Sequence, residues 1–134
     1  MNLNKTTSYT LKVLNYMAEN ENEIHSAYNL HKKLKIPRQY LRQLLTSLTK
    51  NNFIVSISGR KGGFTFKRDI KDIYVLDIIH SLEGMDFLNK CILGFEECPF
   101  DDHCALHDTW NEYRKSITTT LKETSLADLK KSDS

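Results

Sequence analysis

The sequence predicts a mainly α-helical fold that carries one small β-hairpin and ends in a long helix. Three patterns support this prediction. Apolar residues recur at helical spacing in successive N-terminal segments. A short stretch rich in β-branched and aromatic residues then brackets a glycine-rich turn. Near the C-terminus, large apolar residues step by three and four positions, as in the seam of a helix that packs on another helix.

Local signals mark the boundaries of the three N-terminal helices. The first begins at Thr6 and ends in the polar run 19–23, and Ser26 is placed to cap a second helix through Leu34. A third helix starts at Pro37, where the missing N–H has no helical partner to lose. Its buried stripe is predicted to be Leu41, Leu44, Leu45 and Leu48. Two short helices joined by a tight turn form a helix-turn-helix.

The hairpin is predicted over residues 53–57 and 64–66, with a flexible tip at 58–63. The tip places two positive charges, Arg60 and Lys61, beside Gly62 in a turn that needs glycine. A helix-turn-helix followed by such a hairpin is the winged helix-turn-helix arrangement. A further helix with Ile73, Leu76, Ile79 and Leu82 on its inner face, and Val75 and Ile78 beside them, should end at Gly84.

A long helix of about 20 residues is predicted from Ala105 onward. Its seam is Leu106, Trp110, Tyr113, Ile117 and Leu121. Such a helix usually buries its seam on a symmetry mate, so we expect a homodimer. The chain is thus divided into a winged-helix domain (1–84), a cysteine-rich cofactor loop (85–104), and a dimerisation helix with a C-terminal tail (105–134).

Charge is distributed unevenly along the 134 residues. Residues 1–68 hold twelve basic and three acidic residues, whereas the rest hold seven basic and fourteen acidic residues. The basic half should attract a polyanion, and the acidic half should face away from it. The sequence contains no apolar run of about 20 residues and no secretory signal pattern. We therefore expect a cytoplasmic protein that does not insert into membranes.

The third helix is the expected reader of double-stranded DNA. Arg38, Gln39 and Arg42 lie opposite its leucine stripe, where arginine suits guanine and glutamine suits adenine. The predicted DNA-binding residues are Arg38, Gln39, Tyr40, Arg42, Arg60, Lys61 and Gly62.

All three cysteines lie within a 14-residue segment. An odd number of cysteines that lie close together is more typical of a metal or redox site than of a disulfide framework. The candidate metal ligands are Cys91, Cys98 and Cys104, with His107 as a fourth candidate. The residues leave four alternatives: an iron–sulfur cluster, a zinc ion on the Cys₃His set, a thiol/disulfide switch, or inert thiols. An enzyme using Cys98 or Cys104 with His103 or His107 is disfavoured because no companion catalytic motif accompanies them. A further alternative is a module that binds another protein through the acidic half. The sequence contains no motif for such a surface.

Five segments together resemble the winged-helix iron–sulfur transcriptional regulators that include IscR and NsrR. The matching segments are residues 3–9, 36–41, 59–64, the cysteine loop and 124–129. The resemblance implies a homodimer that crosses its long helices on a palindromic operator. It also implies a two-iron or four-iron cluster on the three cysteines, through which a regulator, expected here to be a repressor, senses iron, redox state or nitric oxide.

This sequence departs from that family's pattern at three places. The loop between the first two cysteines is longer than in IscR. Ser8 stands where cluster-binding members can offer a carboxylate to the partner subunit, which makes His107 the better fourth ligand here. Ser58 replaces the usual wing arginine, so groove reading by the wing should shift to Arg60.

Overall fold

The computed structural model describes residues 5–83 and 104–131. We number its elements along the chain. They are α1 (Lys5–Glu19), α2 (Ala27–Leu34), α3 (Arg38–Lys50), β1 (Ile54–Ile57), β2 (Gly63–Phe66), a 3₁₀ turn (Ile70–Asp72), α4 (Val75–Glu83), α5 (His107–Glu123) and α6 (Leu126–Lys131). The predicted order of helices, hairpin and helices is confirmed.

The first three helices bury their apolar faces in one core. α1 contributes Val13, Leu14 and Met17, all fully buried, and α3 contributes its predicted leucine stripe of Leu41, Leu44, Leu45 and Leu48. α2 adds Leu30 and Leu34. This shared core orients α3 relative to α1 and α2 and leaves its opposite face exposed.

The hairpin is antiparallel, with Ile54 opposite Phe66 and Ile57 opposite Gly63. His25, before α2, adds a third short pairing, because its backbone exchanges two hydrogen bonds of 2.8 Å with Phe64. The buried face of the hairpin carries Ile54, which is 1% exposed. The wing is therefore fastened both to the end of α3 and to the segment before α2.

The fourth helix differs in detail from its prediction. Ile73 precedes the helix, and Leu76 is only half-buried, while Val75, Ile78 and Ile79 are buried. Ile73 is buried as predicted but lies outside the helix, where its carbonyl accepts from Leu126 N at 2.9 Å.

The C-terminal segment, predicted as a tail, contains the short helix α6. Ser125 and Asp128 form a reciprocal capping pair: Ser125 N donates to Asp128 Oδ2 at 3.0 Å, and Asp128 N donates to Ser125 Oγ at 3.2 Å. Leu126 is fully buried against the core. Because Thr124 O accepts from Val75 N at 2.9 Å, the chain after α5 is tied to the start of α4.

The long helix α5 has 17 residues, somewhat fewer than predicted, and begins at His107 rather than Ala105. It packs on α4, and its Trp110 is buried. Other seam residues remain accessible: Leu106 is 44% exposed and Tyr113 is 60% exposed. Among the described helices, none combines the length and apolarity needed to cross a bilayer.

Candidate nucleic-acid interface and cysteine site

The exposed face of α3 is a concave polar surface free of carboxylates. It is lined by Arg38, Gln39, Arg42, Gln43, Thr46, Ser47 and Lys50. Because α3 contains no Asp or Glu, the three cations of this surface meet no acid on their own helix. The predicted residues Arg38, Gln39 and Arg42 are thus brought together on one exposed surface.

Gln43 belongs to this surface but was not among the predicted residues. It lies four positions after Gln39, and residues four apart share a helix face. The signal was therefore present in the spacing. Thr46 extends the same row toward the C-terminal end of α3.

The turn between α2 and α3 is closed by side chains as well as by backbone. Ser26 Oγ accepts from Asn29 N at 3.0 Å, which confirms the predicted cap of α2. Lys35 adopts the left-handed conformation with φ of 57° and ends α2. His31 Nδ1 lies 2.7 Å from Ile36 O, and since a carbonyl can only accept, Nδ1 carries the proton and donates. The bonds made by His31 and Lys35 hold the turn that leads to Arg38 at the start of α3.

Tyr40 is held against α1 rather than standing on the exposed surface with its neighbours. Its hydroxyl lies 2.8 Å from Thr6 Oγ1, and its ring meets Tyr9 edge-to-face at 5.6 Å. Lys5 Nζ lies 5.6 Å from the centre of the Tyr9 ring. In this position Tyr40 links the first turn of α3 to the first turns of α1.

The wing tip depends on its glycines. Gly59 has φ of +108°, and a Cβ on Gly62 would overlap the carbonyl oxygen of Ile57. A Cβ on Gly63 would come within 2.6 Å of His25 O, where the hairpin meets the third pairing. Arg60 and Lys61 are exposed at the tip. Gly62 therefore shapes the loop that presents these two charges.

Two of the four predicted metal ligands, Cys91 and Cys98, lie outside the described residues. Cys104 is half-buried in the turn before α5, and its carbonyl accepts from His107 N at 3.1 Å. Cys104 and His107 therefore lie in one turn, and α5 starts at His107. Among the described residues, no group of three His, Cys, Asp or Glu side chains is arranged to hold a metal ion.

The His107 ring is engaged by its own helix. Asn111 Nδ2 lies 3.1 Å from His107 Nε2, and Arg114 Nη2 donates to Asn111 Oδ1 at 2.5 Å. Because the arginine takes the amide oxygen, the amide nitrogen faces His107, and Nε2 is the acceptor. The Nε2 lone pair, one of the two positions through which a histidine can bind a metal, is thus occupied by Asn111.

A helix-turn-helix whose exposed face is basic, joined to a glycine-rich basic hairpin, defines a winged-helix DNA-binding protein. Comparison with known proteins identifies the family. The Rrf2 family model, described as an iron-dependent transcriptional regulator, matches residues 3–132, and the chain belongs to this family. The resemblance found in the sequence is therefore confirmed.

Named relatives agree with this assignment. The chain is 29% identical to the transcriptional regulator NsrR of Oceanobacillus iheyensis over 99% of its length and 92% of that protein. It is 33% identical to IscR of Xenorhabdus nematophila over 72% of its length and 58% of that protein. Transcription regulation is thus the activity that its relatives share.

Solved structures agree as well. T. potens IscR superposes with a TM-score of 0.76 at 25% identity, covering 100% of this chain and 89% of that one. CymR, the global cysteine regulator of B. subtilis, superposes with a TM-score of 0.80 over 98% of this chain and 97% of that one. At 23% identity, the match to CymR supports the fold alone.

Proposed function

We propose that this chain is a homodimeric repressor that reads a palindromic operator and senses iron, redox state or nitric oxide through an iron–sulfur cluster. The observation that carries the DNA-binding part is the carboxylate-free surface of α3, exposed opposite a fully buried leucine stripe. As a regulator of transcription, it should work in the cytoplasm, where bacterial DNA lies.

Base reading is assigned to the first half of α3. Arg38 and Arg42 carry the planar donor fork that pairs with guanine, and Gln39 carries the amide that pairs with adenine. Gln43 joins them because it lines the same surface. The N-terminal end of a recognition helix is the part that reaches base edges, which favours these four residues over Lys50.

The other predicted DNA-binding residues take supporting roles. Arg60 and Lys61 at the wing tip approach phosphates or the adjacent groove, and Gly62 lets the loop close. Tyr40 positions α3 through Thr6 and Tyr9, because its hydroxyl and ring are engaged by α1.

The dimer is proposed to form along α5. Tyr113 is 60% exposed in the single chain, and Thr109, Glu112 and Ser116 line a shallow depression beside it. A large aromatic side chain exposed on a helix seam gains by covering the same surface of a second copy. Pairing of two chains also supplies the two recognition helices that a palindromic operator requires.

The residues fit a cluster bound mainly by thiolates. Cys104 is half-buried in the turn before α5, so its thiol is partly accessible to a group that Cys91 and Cys98 would also bind. Such a group would supply an oxidant-sensitive link between the loop and the helix. His107 is the weaker ligand, because ligation through Nε2 would first require Asn111 to move away.

Zinc or a thiol switch on the same cysteines is the second candidate. A Cys₃His zinc site needs His107, so the Asn111 contact disfavours zinc more than it disfavours a three-cysteine cluster. A thiol/disulfide switch needs no ligand besides the cysteines. A protein with such a switch should be colourless, because only an iron–sulfur cluster absorbs visible light.

The test has two arms. Selection from a pool of random duplexes should enrich a palindrome with half-sites about one DNA turn apart. Anaerobic purification followed by iron, sulfide and zinc analysis should find iron and sulfide with visible absorption. Failure to enrich any sequence would refute operator reading, and stoichiometric zinc without sulfide would refute the cluster.

A further inference from the structure

The foot of the hairpin carries a pair of basic residues gathered around one asparagine. Lys67 Nζ donates to Asn52 Oδ1 at 3.0 Å, and Arg68 Nε donates to Asn52 O at 3.2 Å. We call Asn52, Lys67 and Arg68 the basic foot. Lys67 and Arg68 follow β2, while Asn52 lies in the turn between α3 and β1. One residue in the turn after α3 thus holds two cations that follow the second strand of the wing.

The backbone explains why Asn52 can do this. Its φ of 65° is a left-handed conformation that asparagine tolerates better than most residues. The hairpin pairing also continues past β2, since Lys67 N donates to Phe53 O at 3.1 Å. The backbone of the foot is therefore fixed on both sides of Asn52.

Arg68 is held by a second contact. Its guanidinium carbon lies 4.7 Å from the centre of the Phe53 ring, and Phe53 is 3% exposed. With Nε bonded to Asn52 O and the ring beneath, the remaining guanidinium donors are presented outward. Both basic side chains are exposed.

Among the described residues, no acid neutralises the basic foot. No carboxylate of residues 5–83 or 104–131 lies within 4.0 Å of the Lys67 or Arg68 side-chain nitrogens. The ion pair nearest in sequence joins Lys71 to Asp69 at 4.0 Å. Two ordered, exposed and unneutralised cations form a receptor for an anion of the phosphate type.

The position of the basic foot relative to α3 indicates which anion it binds. Between Arg38 and Lys50 a helix rises about 18 Å, at about 1.5 Å per residue. The major groove is only about 12 Å wide. If the N-terminal half of α3 lies in the groove, its C-terminal end passes beyond the groove edge, where the sugar–phosphate backbone runs. Asn52 follows Lys50 by two residues, so an α3 that crosses the groove in this way would bring the basic foot to that edge.

We propose that Lys67 and Arg68, positioned by Asn52, bind backbone phosphates of the duplex at the edge of the groove that α3 occupies. This inference rests on the proposed DNA-binding function and adds to it a second set of phosphate contacts, separate from the wing tip. Because the side chains are already ordered in the free protein, little rotamer freedom is lost when they bind.

The experiment measures affinity for a random-sequence duplex as a function of salt, so no operator has to be known. Lys67→Gln and Arg68→Gln should each reduce the slope of log affinity against log salt by about one ion per subunit. Lys71→Gln is the matched control, since Lys71 is exposed but paired with Asp69, and its slope should equal that of the unchanged protein. Urea unfolding of each variant checks that the fold is retained.

Asn52→Gly tests the positioning directly. Glycine keeps the left-handed backbone and both charges but removes Oδ1, so the salt slope should stay while affinity falls roughly three-fold as Lys67 becomes free to move. Unchanged slopes for Lys67→Gln and Arg68→Gln would overturn the phosphate site, and unchanged affinity for Asn52→Gly would overturn the role of Asn52. Absence of any duplex binding by the unchanged protein would instead overturn the proposed DNA-binding function.

Discussion

Replacing Tyr40 by phenylalanine separates a positioning role from direct contact with DNA. The change keeps the ring that meets Tyr9 at 5.6 Å and removes only the hydroxyl that lies 2.8 Å from Thr6 Oγ1. A partly buried neutral hydrogen bond contributes about 1 kcal/mol, within a usual range of about 0.5–1.5 kcal/mol. We expect Tyr40→Phe to lower the free energy of unfolding by about this amount.

The companion change Thr6→Val removes the same bond from the other side and leaves the Tyr40 hydroxyl in place. If the bond positions α3, both variants should lose operator affinity alike, by at most about five-fold, because 1 kcal/mol corresponds to about that factor. The double variant should be no worse than either single variant, which gives a coupling energy of about 1 kcal/mol.

Urea unfolding and fluorescence anisotropy on the selected operator measure these quantities. Thr118→Val is a suitable control, since among the described residues the Thr118 hydroxyl bonds the Arg114 carbonyl of its own helix and nothing in the N-terminal half. A loss of operator affinity in Tyr40→Phe but not in Thr6→Val would refute the positioning role and show that the hydroxyl itself touches DNA.

Three further predictions concern the wing, the recognition helix and the dimer. Arg38→Ala should cost about 1–3 kcal/mol on the best operator and relax discrimination at one position of each half-site; an equal loss on every sequence would make Arg38 a phosphate contact. Gly62→Ala should lower the free energy of unfolding by about 1–3 kcal/mol, because its Cβ would overlap the Ile57 carbonyl, whereas Ser58→Ala in the same exposed loop should not. Tyr113→Glu should yield a folded monomer in sedimentation experiments, since Tyr113 is 60% exposed in the single chain and is free to be covered by a second copy. Thr119→Glu is the control, and a Tyr113→Glu dimer as tight as the Thr119→Glu dimer would contradict the proposal that Tyr113 lies in the dimer interface.

The N-terminal helices could be predicted because their signals are local. The Ser26 cap, the break before Pro37 and the leucine stripe of α3 each depend on residues within a few positions of one another. The Ser125–Asp128 capping pair has the same local character, and its Ser-x-x-Asp spacing was available to predict α6.

Other features depend on residues far apart in the chain. His25 pairs with Phe64, 39 positions away, and Thr6 contacts Tyr40, 34 positions away. No periodicity in the sequence predicts either contact. For the candidate site, the exposed residues of α3 followed from the leucine stripe. The part played by Tyr40 did not, because its side chain projects between the two faces toward α1.

The cysteine site was predicted from composition and spacing, and only part of it lies within the described residues. The contact between Asn111 and His107 makes His107, predicted only as a fourth candidate ligand, a weaker ligand still. Side-chain contacts within α5 were the missing information.

The most direct test of sensing compares cluster-loaded and cluster-free protein on the same operator under anaerobic conditions. Cys104 lies in the turn before α5, so a group bound there could bias the helix along which we propose that the dimer forms, and with it the spacing of the two recognition helices. We predict that the two forms differ at least ten-fold in operator affinity, equivalent to about 1.4 kcal/mol, while their affinities for random DNA differ much less. Equal operator affinities would contradict the coupling and leave any bound metal a structural role.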